Sequence, residues 1–206
     1  MSRNMSIEAI RDLVKSKTED TFVKFEKFSY GTRVLLLLLR EKDGGGSTDF
    51  KRRSLVKVTH EPSQFRKALE QMLTISYFSE QPYRVYVTVN DRNIKKAEKY
   101  LKEQMLEHDF APDVNKAVFY ERFESRWHSA LMKDTSRSTS FFLLDIDDDE
   151  FKWNDIEQKC WDEDIQIVFK TRTKNGWHFI TEPFNPDLLG EYKSCIQKDS
   201  QILMHW

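Results

Sequence analysis

Two aspartates at the end of an apolar run are the residues whose types and spacing point most directly to chemistry. Asp145 and Asp147 follow the run Ser-Phe-Phe-Leu-Leu and are separated by Ile146. Residues two apart in a β-strand point to the same face, so a strand would present both carboxylates together, about 7 Å apart. Like charges this close repel unless a cation neutralises them, and their oxygens suit Mg²⁺ or Mn²⁺. The spacing therefore predicts a divalent metal site of the kind used in phosphoryl transfer.

Three more acidic residues follow directly, and they have a different interpretation. Asp148, Asp149 and Glu150 lie where the next helix is expected to begin. Acidic side chains in a first helical turn complement the positive end of the helix dipole. We therefore assign these three to the start of a helix and keep Asp145 and Asp147 as the metal pair.

A histidine beside a basic segment is the second candidate for chemistry. His178 follows a segment with three basic residues and a glycine. Basic side chains neutralise phosphates, and a glycine lets the backbone approach a ligand closely. A strand histidine alone is typical of a structural role, but next to two carboxylates His178 favours a functional one. The candidate ligand-binding residues of the segment are Lys170, Arg172, Lys174 and Gly176.

The last third of the chain has a pattern of elements that would bring these residues together. Alternating apolar residues predict strands, and acidic or proline-led amphipathic segments predict helices, in the order β-α-β-β-α-β of a ferredoxin-like unit. Right-handed crossovers give this unit the strand order 4-1-3-2. The end of strand 1 at Asp147 would then lie beside the starts of strand 3 near His178 and strand 4 near Asp199. The predicted strands cover residues 138–146, 164–170, 177–184 and 200–206, and the helices 148–163 and 185–197.

The part of the chain before residue 136 has an α/β pattern of its own. We predict helices over 6–17, 62–78, 92–106 and 114–133, and strands over 21–28, 33–39, 52–60 and 83–90. A glycine-rich loop covers 42–49. The fold class is therefore α+β, with an N-terminal α/β unit over residues 1–135 packed against the ferredoxin-like or RRM-like unit over 136–206.

Composition limits the classes of protein that fit. The chain has 206 residues, 39% hydrophobic, which is enough for a core, and its formal net charge of -1 excludes a global basic field for nucleic acid but not a local groove. Cys160 and Cys195 are too far apart for a metal cluster and are interpreted as buried or incidental thiols. The longest apolar run, residues 34–39, cannot span a membrane, so we expect a soluble cytoplasmic protein.

At these residues the chain resembles the archaeo-eukaryotic primase superfamily, which includes primase-polymerases of replication systems, plasmids and phages. That family carries two aspartates with one residue between them after an apolar stretch, and Leu143–Asp147 matches this motif. It also carries a motif of a small residue, any residue and a histidine, which Gly176–His178 matches. The segment over 83–93 is similar to an arginine- and asparagine-bearing strand of the family's smaller α/β unit. The likeness covers roughly residues 20–206 and implies that residues 1–206 form one catalytic domain.

The resemblance implies a metal-dependent nucleotidyltransferase that adds nucleotides to a nucleic-acid 3′-hydroxyl by two-metal catalysis. Asp145 and Asp147 would bind the Mg²⁺ or Mn²⁺ ions, and His178 would contact the phosphates of a nucleoside triphosphate. Lys174, or Lys170 with Arg172, would help to neutralise the triphosphate. The implied partners are a DNA or RNA template and primer, and a replication helicase or other replisome protein. The chain would be a minimal form from a phage or mobile element, acting in the host cytosol.

The sequence departs from the family pattern at two points. The small position is Gly176 instead of the commoner serine. The third acidic ligand is open: Asp199 has the expected topological place but follows Lys198, whereas Asp187 is typical of a helix start.

Two other functions are compatible with the same residues. A metal-dependent nuclease would use the same carboxylates with a histidine and a lysine nearby. A non-catalytic RRM-like nucleic-acid-binding module would present Phe141, Trp177 and Phe179 for stacking on bases. Acidic residues at the centre of such a sheet would repel phosphates without a metal, which counts against the binding module.

Overall fold

The computed structural model describes residues 6–39, 55–79, 82–109, 113–147, 152–173 and 175–205. Within these ranges the protein is α+β, with two antiparallel four-stranded sheets. None of the helices in them is long and apolar enough to cross a membrane. The helices are α1 Ile7–Lys24, α2 Pro62–Phe78, α3 Ile94–Asp109, α4 Asp113–Glu121, α5 Phe123–Leu131 and α6 Lys152–Asp162. The strands are β1 Arg33–Leu39, β2 Leu55–Thr59, β3 Tyr83–Thr88, β4 Phe142–Asp147, β5 Ile167–Arg172, β6 Gly176–Thr181, β7 Ile196–Gln197 and β8 Gln201–His205.

The chain divides into two compact units. One is formed by Met1–Asn90 together with Ser140–Trp206 and contains both sheets, and the other is formed by Asp91–Thr139 and contains α3, α4 and α5. The predicted boundary between residues 135 and 136 falls four residues before the end of the second unit. In that unit the segment predicted as one helix over 114–133 is two helices, with Arg122 between α4 and α5 at φ −104° and ψ 17°.

The first sheet has the order β2-β1-β3-β8. Leu35 and Leu37 of the central strand β1 are buried in one core cluster with Phe65 and Leu69 of α2. The helix α2 begins at Pro62, a residue tolerated in a first turn because it lacks only an N–H that has no helical partner there. Apolar residues spaced three and four apart then turn one face of α2 towards the core.

The segment over 21–28, predicted as a strand, is helical. The helix α1 continues to Lys24, and a 3-10 turn follows over Glu26–Phe28. Phe22, Phe25 and Phe28 are spaced by three residues, and all three are buried. Val23, an apolar residue of the predicted strand, is 63% exposed. The three aromatic rings therefore follow a helical period, and burying them outweighs the alternation.

The second sheet has the order β5-β6-β4-β7, and one predicted strand pairing is wrong. The strand predicted over 200–206 was expected beside the strand that ends in Asp147. Instead the two-residue strand β7 pairs with β4, with Leu143 opposite Gln197, and β8 pairs with β3 in the first sheet. The apolar residues of β8 explain this, because Ile202 and Met204 are buried in the core cluster of the first sheet.

His205 makes the stability of the first sheet depend on pH. Burial lowers the pKa of His205, nearby Lys17 lowers it further, and the ring lies 5.4 Å from that of Tyr77. Because the unfolded chain then binds the proton more readily, this contribution to stability is complete above the unfolded pKa of about 6.5 and is lost as pH falls. We expect a lower thermal midpoint at pH 5.5 than at pH 7.5, and a smaller difference in His205→Phe. Equal pH dependence in wild type, His205→Phe and the exposed control His60→Phe would contradict this.

Cys160 of α6 is a buried thiol whose reactivity should be low. Its side chain lies in a second core cluster with Leu144 and Phe179. Burial, with the charge of Glu157, raises the pKa of Cys160 to about 11. At pH 8 the reactive thiolate fraction is then roughly a hundredfold below that of an ordinary thiol. In Cys195→Ser, Cys160 is the remaining cysteine, and we expect it to react with a chromogenic disulfide reagent at least about a hundredfold faster in denaturant than in buffer. The rate is measured from the absorbance of the thiolate that the reagent releases. Equal rates would show that the thiol is accessible.

Candidate functional site

The pairing of β4 with β6 brings the two best candidates of the sequence together. The register places Asp145 directly opposite His178 and Asp147 opposite Gly176. His178 Nε2 lies 3.2 Å from Asp145 Oδ1. The predicted neighbourhood of His178 and the aspartates is therefore confirmed as geometry.

The alternation of β4 explains how apolar and acidic residues share one short strand. Leu144 and Ile146 point to one face and are buried in the cluster that includes Ile156 of α6. The other face carries Leu143, Asp145 and Asp147, and its exposure rises along the strand from buried through half-buried to exposed. The strand is thus anchored at its start by its apolar residues and delivers its carboxylates to the open end of the sheet.

Asp145 is held by two neighbouring strands. Its Oδ1 faces His178 of β6, and its Oδ2 accepts a hydrogen bond of 3.1 Å from Gln197 Nε2 of β7. Ser200 Oγ in turn donates to Gln197 Oε1. Both oxygens of the carboxylate are therefore oriented by side chains from either side of β4, which fixes its rotamer.

His178 is buried while its aspartate partner is half-exposed. The exposed fraction is 9% for the His178 side chain and 36% for that of Asp145. A carboxylate only accepts hydrogen bonds, so the imidazole carries a proton on Nε2. The other nitrogen, Nδ1, is buried and has no hydrogen-bond partner among the residues described. A proton there would be left without an acceptor, so the geometry favours the tautomer with its proton on Nε2.

Two of the predicted basic residues lie on the opposite face of the sheet. Thr171 is the residue of β5 that pairs with His178, so its neighbours Lys170 and Arg172 point away from the carboxylates. Lys170 Nζ lies 2.7 Å from Glu157 of α6. The expectation that Lys170 and Arg172 face the same ligand as Asp145 is therefore wrong, because strand residues alternate.

The remaining basic candidate and the acidic helix start cannot be placed. Lys174 and residues 148–150 lie outside the described residues. Between β5 and β6, Thr173 N donates a hydrogen bond of 2.8 Å to Gly176 O. Since Gly176 faces Asp147, this hydrogen bond lies at the same end of the sheet as the exposed carboxylate.

Asp199 is not beside Asp145. β7 runs antiparallel to β4, and the chain beyond Gln197 continues towards the start of β4. Asn90 Nδ2 lies 3.4 Å from Asp199 Oδ1 and 2.9 Å from Phe141 O. Phe141 and Asp145 are four strand residues apart, about 13 Å. Asp199, the predicted third ligand, therefore lies near the start of β4 and away from Asp145. The prediction assumed that the strand over 200–206 pairs with β4, whereas β7 pairs there and β8 pairs with β3.

The other candidate for a third acid has a structural role. Asp187 lies in the first turn of the 3-10 helix over Pro186–Cys195. Its carboxylate pairs with Lys193 Nζ at 2.5 Å, and this contact lowers the pKa of Asp187. The interpretation of Asp187 as a helix-start acid agrees with this position.

Gln197 is the site residue that sequence reasoning missed. It lies at the end of a segment predicted as a helix and belongs to β7, a strand of two residues. No periodicity can be recognised in two residues, so local sequence carried no signal for it. The only available signal was topological, because the residue that pairs with Leu143 on the free side of β4 must come from the last part of the chain.

The aromatic residues expected to stack on bases are used in packing. Phe179 is fully buried, and the ring of Trp177 lies 5.2 Å from that of Trp153 on α6. Phe141 packs against the core cluster of the first sheet. The sheet therefore does not offer these three rings as a stacking platform, which counts against the binding-module alternative.

The donor set fits a hard divalent cation that brings ligands of its own. Asp145 and Asp147 supply carboxylate oxygens on one face, which is the chemistry that Mg²⁺ and Mn²⁺ prefer. Within the described part of the chain, no group of three or more His, Cys, Asp or Glu side chains is arranged to hold a metal. Mg²⁺ is commonly held by one or two carboxylates, with waters and substrate phosphates as its other ligands. The residues present match that type of site.

Comparison with known proteins adds no further assignment. No protein-family model, no curated protein and no solved structure matches the chain.

Proposed function

We propose that this protein is a metal-dependent nucleotidyltransferase that adds nucleotides to a nucleic-acid 3′-hydroxyl, as primase-polymerases do. The observation that carries the proposal is the pairing of Asp145 with His178 across β4 and β6, with Asp147 on the same open face. Carboxylates beside an imidazole at a sheet end are a set that suits phosphoryl transfer. The protein would act in the cytoplasm with a template, a primer and other replication proteins.

The strand order of the second sheet supports an RRM-like catalytic unit. With β7 in the fourth position, β5-β6-β4-β7 is the order 2-3-1-4, which is 4-1-3-2 written in reverse. In this arrangement the carboxylates lie on a central strand and the histidine on its neighbour. The first sheet, with α1 and α2, would be the accompanying α/β part of a single catalytic domain.

Each side chain has a distinct role in this proposal. Asp145 and Asp147 would hold Mg²⁺ or Mn²⁺, which when bound supplies Lewis-acid polarisation of a phosphoryl oxygen. The proton on His178 Nε2 faces Asp145 Oδ1, and in the nucleotide complex this N–H would donate to a phosphate oxygen instead. Burial of the imidazole fixes that donor in place, so little reorganisation is needed when a nucleotide binds. Lys174, from the basic segment of the sequence, would help to neutralise the triphosphate.

The test is incorporation of a labelled nucleotide on primed and unprimed templates with Mg²⁺ or Mn²⁺. Ribo- and deoxyribonucleoside triphosphates are supplied separately, and products are separated by length. We expect extended strands that require the metal. Shortened template or primer strands would identify the nuclease that the same carboxylates could support. Template binding with neither outcome would favour a non-catalytic module.

A further inference from the structure

We infer that Gln197 makes divalent metal binding at this site depend on a phosphate-bearing ligand. This inference rests on the proposed function, because it concerns the same carboxylates. Gln197 sits beside Asp145 on the face that carries both aspartates and contributes an amide there instead of a further carboxylate. The site would then bind a metal–nucleotide complex and would not retain the free ion.

The orientation of the Gln197 amide follows from its two partners. Asp145 Oδ2 can only accept a hydrogen bond, so the group facing it at 3.1 Å must be the amide nitrogen. Ser200 Oγ donates to the oxygen at the other side of the same amide. A flipped amide would set two oxygens against each other at Asp145. The pair of contacts therefore allows one orientation.

This orientation decides which ligands a metal could find. The amide nitrogen of Gln197 is a donor and has no lone pair for a cation. Its oxygen, the one atom that could ligate, is directed towards Ser200 and away from Asp145. Gln197 thus acts as a positioning residue, which holds Asp145 in one rotamer and adds no negative charge.

Among the described residues no third acidic side chain joins Asp145 and Asp147, so a bound ion would take further charge from its own ligands. Asp145 and Asp147 contribute two negative charges, and Asp145 Oδ2 already accepts from Gln197 while its Oδ1 lies 3.2 Å from His178 Nε2. Cation affinity in oxygen-ligand sites rises with the number of charged ligands. The phosphates of a nucleoside triphosphate supply both oxygen ligands and negative charge, so they complete the site.

The experiment is equilibrium dialysis of the full chain with Mn²⁺ alone, with a non-hydrolysable nucleoside triphosphate alone, and with both. Metal and nucleotide retained by the protein are quantified separately, so catalytic activity is not needed. We expect wild type to retain each ligand at least about tenfold more tightly when the other is present. The thermal midpoint should rise with the two ligands together and stay unchanged with either alone.

Substitutions at Gln197 should change this dependence in opposite ways. Gln197→Glu adds a third carboxylate beside Asp145 and Asp147. We expect this variant to retain Mn²⁺ without nucleotide at least about tenfold more tightly than wild type does. Gln197→Met keeps the length of the side chain but removes the amide, and we expect it to weaken joint binding by about 10–100-fold. Gln166→Glu, at an exposed glutamine next to β5, is the control for added charge.

The outcomes separate this inference from the function on which it rests. Retention of Mn²⁺ by wild type to the same extent with and without nucleotide would overturn the dependence but leave the metal site in place. The role of Gln197 would be overturned if Gln197→Glu gained no more than Gln166→Glu. Failure to retain Mn²⁺ or nucleotide under any condition would overturn both proposals. The wild-type dialysis needs no variant, so the test stands even if a substitution impairs folding.

Discussion

Nucleotide incorporation is expected to fall by roughly 10²–10⁴-fold when Asp145 or Asp147 is replaced with asparagine. Asparagine keeps the size of the side chain but removes the negative charge that would hold the metal ion. Charge stabilisation by a bound metal contributes several kcal/mol to phosphoryl transfer, and about 1.4 kcal/mol corresponds to a factor of ten. Single-turnover extension of a labelled primer measures the change.

The two substitutions differ in their expected side effects. Asp147 is exposed, so Asp147→Asn should leave the thermal midpoint unchanged. Asp145 contacts both His178 and Gln197, so Asp145→Asn should also disturb the contacts that hold β7 against β4. Asp147→Asn is therefore the cleaner test of chemistry.

A matched control makes the same aspartate-to-asparagine substitution at a position away from the site. Asp162→Asn removes a carboxylate at the end of α6, a helix that packs on the face of the sheet opposite the two aspartates. We expect it to retain wild-type incorporation. If Asp147→Asn incorporates nucleotide within about threefold of Asp162→Asn, Asp147 contributes little charge stabilisation and the metal role fails.

The contact between Asp145 and His178 could be predicted because it depends on few choices. An apolar run ending in alternating acids defines a strand and its face, and a hairpin followed by a strand defines the antiparallel neighbour. Once β4 and β6 pair in antiparallel fashion, residues near the end of β4 must face those near the start of β6. Local pattern and handedness were sufficient here.

The face on which Lys170 and Arg172 lie follows from the alternation of side chains along a strand. The alternation that puts Asp145 and Asp147 on one face of β4 applies equally to the basic residues of β5. The same period of two places Lys170 and Arg172 together on one face, and the register with His178 shows that it is the other one. Counting positions from His178 through the hairpin would have predicted this from the sequence.

The position of Asp199 could not be predicted, because it depends on competition between two sheets. Both sheets offered a free edge to the last apolar segment, and nothing local in that segment favours one over the other. The choice of β3 over β4 is decided by burial of Ile202 and Met204 against the large core of the first sheet. That leaves β4 with a two-residue partner and brings Gln197 to Asp145.

Asn90→Ala is expected to destabilise the fold by about 2–4 kcal/mol, because two partly buried backbone groups of Phe141 would lose their partners. Asn90 is fully buried two residues after the end of β3. Its Oδ1 accepts from Phe141 N at 2.7 Å, and its Nδ2 donates to Phe141 O at 2.9 Å. The amide thus imitates a strand neighbour at the start of β4. Chemical denaturation measures the loss, and the thermal midpoint should fall by roughly 5–15 °C.

Two further variants separate the hydrogen bonds of Asn90 from its volume. Asn90→Asp keeps the acceptor for Phe141 N but sets a carboxylate against Phe141 O and Asp199, so it should destabilise at least as much as Asn90→Ala. Asn154→Ala, at an exposed position of α6, should change stability by less than about 0.5 kcal/mol. A loss below about 1 kcal/mol in both Asn90 variants would mean that β4 does not need this anchor. Because β4 carries Asp145 and Asp147 at its far end, a loosened start should also weaken joint retention of Mn²⁺ and nucleotide at temperatures where the variant is still folded.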